Sequence, residues 1–197
     1  MKRKVRRRRR LFALGSAAVL IGVLAGALIA SGTFDHALQE LTLPLRHEDV
    51  IRQQADEKGV DAALIAAVIY SESKFRDQTS SAGARGLMQI TPEAADTIAR
   101  NSNATTFELE DLGDPEINIR YGTFLLGEFL ERYDGDEAAA LSAYNAGPGN
   151  ADEWGGANLT VEEIPFPETR AYVEEVLEKR EEYRHEYGSE LGYGNLP

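Results

Sequence analysis

The chain is 197 residues long, 43% hydrophobic, without cysteine, and carries a formal net charge of −12. That length suits one domain able to bury a core, and the lack of cysteine excludes a disulfide framework and thiol chemistry. Eight of the 21 Lys and Arg precede residue 11 and no acid does, so 13 basic face 33 acidic residues beyond it; that net of about −20 argues against nucleic acid as a partner and against electrostatic steering toward any anionic polymer.

Residues 1–10 form a basic tail, and residues 11–30 an apolar run interrupted only by Gly and Ser. Twenty residues span about 30 Å as a helix, which matches a bilayer's hydrocarbon core and exceeds the roughly 7–15 apolar residues of a secretory signal. The run therefore reads as an uncleaved transmembrane signal-anchor. Its alternative is a cleavable signal, with a small-residue site near Ala27 to Ser31, which would make the protein secreted. The basic cluster belongs on the cytoplasmic side, which puts the chain beyond residue 30 outside a single-pass membrane anchor.

Residues 31–46 read as a stalk in which Pro44 interrupts a short apolar stretch, and helical periodicity takes over at His47. A first helix is predicted over 48–58, stopped by Gly59, and Asp61 caps a second that ends near Ser73. Thr91-Pro92-Glu93 and Asp114-Pro115-Glu116 each place a capping residue before a proline, which is how helices begin. The second of these starts a long helix to about Tyr133, expected to turn Ile117, Tyr121, Phe124, Leu125 and Phe129 toward the core. Asp136 caps a helix through Leu141 and Tyr144 that Gly147-Pro148-Gly149 must end, since proline lacks the donor a continuing turn needs. A charged last helix over 168–187 keeps Tyr172, Val173, Val176 and Tyr183 on one side, and residues 188–197 read as a tail. No segment reads as a strand, so the fold class is all-α.

Three stretches carry chemistry. Glu72 falls in the last turn of the second helix between Ile69 and Phe75, where burial would raise its pKa and keep a proton available; alone, it would more often be one surface acid among many. In Gly83-Ala84-Arg85-Gly86-Leu87-Met88-Gln89-Ile90 the glycines permit a tight turn close to a ligand, Met88 can wall a sugar subsite, and Gln89 can donate and accept hydrogen bonds. The competing reading is a turn entering a helix, with Leu87, Met88 and Ile90 as core. In Ala143-Tyr144-Asn145-Ala146-Gly147, Tyr144 offers an apolar face with a polar tip and Asn145 an amide at a helix end, where Asn often serves only as a cap. His36, His47 and His185 lack metal-ligand spacing, so neither metal nor cofactor is expected.

Glu72-Ser73, Gly86-Leu87-Met88-Gln89, Ala143-Tyr144-Asn145-Ala146-Gly147 and Ile164-Pro165-Phe166-Pro167-Glu168-Thr169-Arg170-Ala171-Tyr172-Val173 together resemble, in order, the motifs of the soluble lytic transglycosylase family. The resemblance covers residues 47–187 and implies a lysozyme-like helical domain acting on peptidoglycan glycan strands. It implies cleavage of the β-1,4 bond between N-acetylmuramic acid and N-acetylglucosamine, with Glu72 protonating the departing oxygen and then taking the proton of the muramyl C6 hydroxyl as a 1,6-anhydro ring closes. The substrate's 2-acetamido group would support the anomeric charge, which removes the need for a second carboxylate.

By position in those motifs, Ser80, Met88 and Gln89 would line the groove, Asn145 and Tyr144 would contact substrate, and Tyr172 would bring its hydroxyl to Glu72. Ser80-Ser81-Ala82 lacks the proline common after the family's serine, so Ser80 and Ser81 both remain candidates, and Tyr172 has a second reading as a buried helix aromatic. The rivals are a hydrolytic muramidase on the same fold and a non-catalytic wall-binding protein. Protein partners are left open.

Overall fold

The structure, a computed structural model, describes residues 21–22, 25–26, 33–101 and 108–194. The chain divides into two compact units, Met1–Leu43 and Pro44–Pro197. In the first, the stretch expected to be a stalk contains helix α1 (Thr33–Thr42), with Leu38 and Leu41 exposed. No helix among the described residues is long and apolar enough to cross a membrane; the anchor expected at 11–30 lies outside them, save for four helical residues.

The second unit is helical: α2 (Glu48–Lys58), α3 (Ala62–Ser73), α4 (Pro92–Asn101), α5 (Pro115–Arg132), α6 (Glu137–Ala146), α7 (Pro148–Trp154) and α8 (Pro167–Glu186), with short 3-10 turns at Leu109–Gly113, Gly156–Asn158 and Val161–Glu163. The four starts predicted from a capping residue have their caps. Asp61 accepts from the Leu64 N–H at 2.8 Å, Thr91 from Ala94 at 3.1 Å, Asp114 from Glu116 at 2.9 Å and Asp136 from Ala139 at 2.8 Å. These bonds satisfy amides that a helix start leaves unpaired. Extended structure is confined, among the described residues, to single bridges pairing Arg85 with Thr79 and with Ile90.

Helix α3 is the central rod. Residues Ala62 through Ile69 are buried on every side, the pattern of a helix enclosed by its neighbours. Fully burying Leu64, Ile65, Val68 and Ile69 stabilises the fold by roughly 1.5–3 kcal/mol each. Helix α8 packs along α3 and also meets α6, and α5, α6 and α7 pack on one another in succession. The α3–α8 seam is aromatic: Tyr183 is fully buried, lies edge-on to Tyr70 at 6.3 Å and close to Phe75 at 6.1 Å, and donates its hydroxyl to the Pro44 carbonyl at 2.6 Å. The residues expected to form a tail are folded onto this unit as far as 194. Leu191 is buried, Arg52 donates to the Glu190 carbonyl, and the Tyr193 hydroxyl accepts from Ala63 N–H at 2.8 Å in the first turn of α3.

One expectation about the helices needs correction. The inward face of α5 is Asn118, Ile119, Gly122, Thr123, Leu125 and Leu126; of the side chains expected there only Leu125 is buried, and Ile117, Tyr121, Phe124 and Phe129 are half-exposed. The helix is rotated because its small and amide residues, not its aromatics, meet the loop at 85–90, as the distances below show. Gly147-Pro148-Gly149 ends α6 at Ala146 as expected, but a further helix follows at once: Gly147 breaks the axis, and Pro148 serves as the first residue of α7, a position that needs no N–H.

Candidate active site

Helix α3 ends at Ser73, and the chain leaves it through two consecutive non-glycine residues with left-handed backbone, Lys74 (φ 52°) and Phe75 (φ 58°). Such conformations are costly for bulky residues and persist only where packing imposes them. Here the reversal buries Phe75 beside Tyr183 and leaves Glu72 in the final turn of the rod.

Burial pushes the Glu72 carboxyl up from 4.5 to about 7, and the Tyr172 hydroxyl pulls it down by a smaller amount. No cation among the described residues contributes to that shift. The acid is therefore substantially protonated near neutrality, as desolvation of an uncompensated carboxylate requires. Two phenols close the surroundings. Tyr172, one and a half turns into α8, and Tyr144, near the end of α6, are each pushed well above the usual tyrosine range, by burial first and then by the charge of Glu72. Both stay un-ionised. The Tyr172 hydroxyl stands close enough to Glu72 for each to influence the other, yet it is buried and completes no standard hydrogen bond. It is a donor held in reserve beside the acid. The Tyr144 hydroxyl is committed, donating to the Met88 carbonyl at 2.9 Å.

The glycine-rich loop is tied to the acid through a chain of amides. Gln78 donates to the Glu72 carbonyl at 3.2 Å, and the Gln89 side chain donates to the carbonyls of Gln78 at 3.0 Å and Gly86 at 2.8 Å. Gln89 itself has left-handed backbone (φ 47°). Ser80 closes its own turn, accepting from the Ala84 N–H at 3.0 Å, and remains partly open to solvent, whereas Ser81 is exposed. Asn145 is exposed at the end of α6. Met88 differs from expectation: its side chain is wholly buried beneath the loop against Gly122, so its carbonyl and N–H, not its thioether, face the neighbouring elements.

The structure thus brings Glu72, Tyr144, Tyr172 and the loop of Met88 and Gln89 into one linked neighbourhood drawn from three distant parts of the chain. Sequence reasoning passed over Gln78 and Asn118. The second had a readable signal, an amide at an inward position of α5. Two surface hollows, of about 500 Å³ beside Arg52, Asp61 and Tyr193 and about 400 Å³ beside Lys58, Phe124 and Glu131, contain none of these groups. The arrangement can protonate a leaving oxygen and afterwards accept a proton, using a single carboxyl poised near neutral pH.

Residues 49–166 match the transglycosylase SLT domain family. The chain is 34% identical over 171 residues to the soluble lytic murein transglycosylase of Escherichia coli K12, covering 82% of this chain and 26% of that protein. It is 28% identical over 167 residues to the membrane-bound lytic murein transglycosylase C of Edwardsiella ictaluri, covering 71% of this chain and 46% of the other. Among solved structures, the 70-kDa soluble lytic transglycosylase of Escherichia coli superposes with a TM-score of 0.71 at 32% identity, covering 83% of this chain and 28% of that one. An inactive mutant of the lytic transglycosylase Slt of Pseudomonas aeruginosa gives a TM-score of 0.71 at 30% identity, covering 77% and 26%. The match to the soluble curated relatives thus spans about a quarter of their length.

Proposed function

Because the chain belongs to the transglycosylase SLT domain family, with its all-α, lysozyme-like fold, we propose that it is a peptidoglycan lytic transglycosylase that works with Glu72 as its only catalytic carboxyl. The observation that carries this reading is the burial of the Glu72 carboxyl at the end of α3, which pushes its pKa up to about 7, beside two un-ionised phenols. In the forward step Glu72 gives that proton to the glycosidic oxygen between N-acetylmuramic acid and N-acetylglucosamine as the bond to the anomeric carbon breaks. The muramyl 2-acetamido group supports the positive charge. The Glu72 carboxylate then removes the proton of the C6 hydroxyl, whose oxygen bonds to the anomeric carbon, restoring the acid and consuming no water. Tyr172, with its unspent donor, stabilises the carboxylate between the two proton transfers. Gln89, Ser80 and exposed Asn145 contact the glycan, and Tyr144 reaches it only through the loop it fastens.

We further propose that residues 11–30 anchor the protein in the cell membrane with the catalytic unit on the wall side; the basic residues ahead of that run and its length support this arrangement.

Digestion of purified sacculi followed by mass analysis tests the reaction. Muropeptides lacking a reducing end and lighter by one water than hydrolytic fragments are expected. Reducing-end products would establish a muramidase, and no release at all a wall-binding protein. Tyr172→Phe is expected to lower turnover while changing stability by no more than about 1 kcal/mol, since the hydroxyl's one interaction is with the Glu72 carboxyl and falls short of a standard hydrogen bond. The alkaline limb of its pH profile should move upward, because the influence that lowers the Glu72 pKa is gone. A collapse in thermal midpoint would instead make Tyr172 a core aromatic.

A further inference from the structure

Asn118 is fully buried on α5, and every polar atom of its side chain is used, on the loop at 85–88 and on the turn just ahead of its own helix. Its Oδ1 accepts the Met88 N–H at 2.8 Å, and its Nδ2 donates to the Arg85 carbonyl at 2.9 Å and to the Leu112 carbonyl at 3.0 Å. Only an amide supplies an acceptor and two donors in one planar group; Asp offers acceptors alone, and Leu neither. The surroundings are cut to this contact. A Cβ on Gly86 would lie 2.1 Å from Asn118 Nδ2, and one on Gly122, a turn further along α5, would lie 2.3 Å from Met88 Sδ and 2.8 Å from Met88 Cβ.

Resting on the function proposed above, we infer that Asn118 is a positioning residue: it sets the height and register of the 85–90 loop against Glu72, and so governs how the glycan is gripped without touching it. The path is continuous. Asn118 holds Arg85 and Met88 on either side of Gly86, the Gly86 carbonyl receives Gln89, Gln89 also reaches the Gln78 carbonyl, and Gln78 reaches the carbonyl of Glu72 itself. From the opposite side, the Tyr144 hydroxyl fastens the Met88 carbonyl. The loop is thereby clamped at one residue from α5 and α6 together. Its one amide side chain, Gln89, is partly open to solvent and is held in a strained backbone conformation that the clamp maintains.

The test uses the full chain. In a Glu72→Gln background, where no turnover intervenes, Asn118→Asp is expected to weaken binding of tetra-N-acetylchitotetraose by about tenfold or more, because it keeps the bond to Met88 but turns an oxygen toward two carbonyls and lifts the loop. With Glu72 in place, KM on purified peptidoglycan should rise while the apparent pKa near 7 stays where it is. A residue with a merely structural role would lower the maximal rate in proportion to the unfolded fraction and leave affinity unchanged; that result overturns the inference. Should Asn118→Asp fail to fold, Gly122→Ala presses on Met88 from below without touching a hydrogen bond, and wild-type affinity in that variant is equally fatal. The unsubstituted chain gives an independent reading: the Met88 amide should exchange with solvent only through global opening, and fast exchange in the folded protein excludes the clamp. A chain that binds no chitotetraose and leaves sacculi intact rejects the proposed function instead, and Met88 protection then decides the clamp on its own.

Discussion

Glu72→Gln is expected to reduce release of muropeptides by roughly 10³-fold or more, the scale of effect when a positioned acid–base group is lost, because the amide can neither give the leaving oxygen a proton nor take one from the C6 hydroxyl. The same substitution should separate the two proteins by pH in a characteristic way. In the unfolded chain the carboxyl titrates near 4.5 and in the fold near 7. Below pH 4.5 both states hold the proton, so the titration contributes no difference. As pH rises from 4.5 to 7 the unfolded state releases its proton first, and the wild type loses stability, on the order of 3 kcal/mol once ionisation is complete. Glutamine has no such penalty. Thermal midpoints of the variant and the wild type should therefore converge at pH 4 and part by pH 8, with the variant higher. Parallel curves throughout would show that Glu72 is not desolvated, and near-normal turnover would remove it from the chemistry.

The second large effect belongs to Gly86→Ala. Its backbone is left-handed (φ +74°), which costs a non-glycine residue roughly 1–2 kcal/mol. The new methyl would also lie 2.1 Å from Asn118 Nδ2 and 2.5 Å from the Leu112 carbonyl oxygen. Neither atom can withdraw without breaking hydrogen bonds of the Asn118 clamp, so overpacking adds about 1–3 kcal/mol. A combined loss of about 2–5 kcal/mol is a large share of the 5–15 kcal/mol that holds a typical domain. Gly59→Ala is the matched control: its φ is +67°, but nothing lies within 4 Å of the added carbon, so only the backbone cost applies. Chemical denaturation of the two variants decides the matter. Equal losses would mean that the space behind Gly86 yields freely and that the loop is not clamped.

Much of this architecture could be read from single residues. Asp61, Thr91, Asp114 and Asp136 announced four helix starts because a capping side chain acts on amides two or three residues away, within the reach of local sequence. Glu72 was legible as the terminus of a rod whose flanks are apolar for the same reason. The rotation of α5 was not. Counting apolar residues favoured Tyr121, Phe124 and Phe129, whereas the inward face is set by Asn118 and Gly122, chosen for what they meet on a loop some thirty residues earlier. A buried amide looks polar to a periodicity argument, and only the distant carbonyls it serves explain it. Met88 misled similarly: a thioether beside glycines suits a sugar wall, but Gly122 opens a recess that draws it inside. Helix α7 was hidden because Gly147 ends α6 and Pro148 at once begins the next helix, so a Gly-Pro pair that reads as a stop is also a start.

The reliance of one carboxyl on Tyr144 and Tyr172, which reach it from α6 and α8, gives the molecule a safeguard. A nascent or damaged polypeptide carries the same glutamate, but as an ordinary solvated side chain it has already surrendered its hydrogen ion at neutral pH and is inert toward sugars. On the function proposed above, competence to cut the wall stays latent until the packing that buries this side chain is complete.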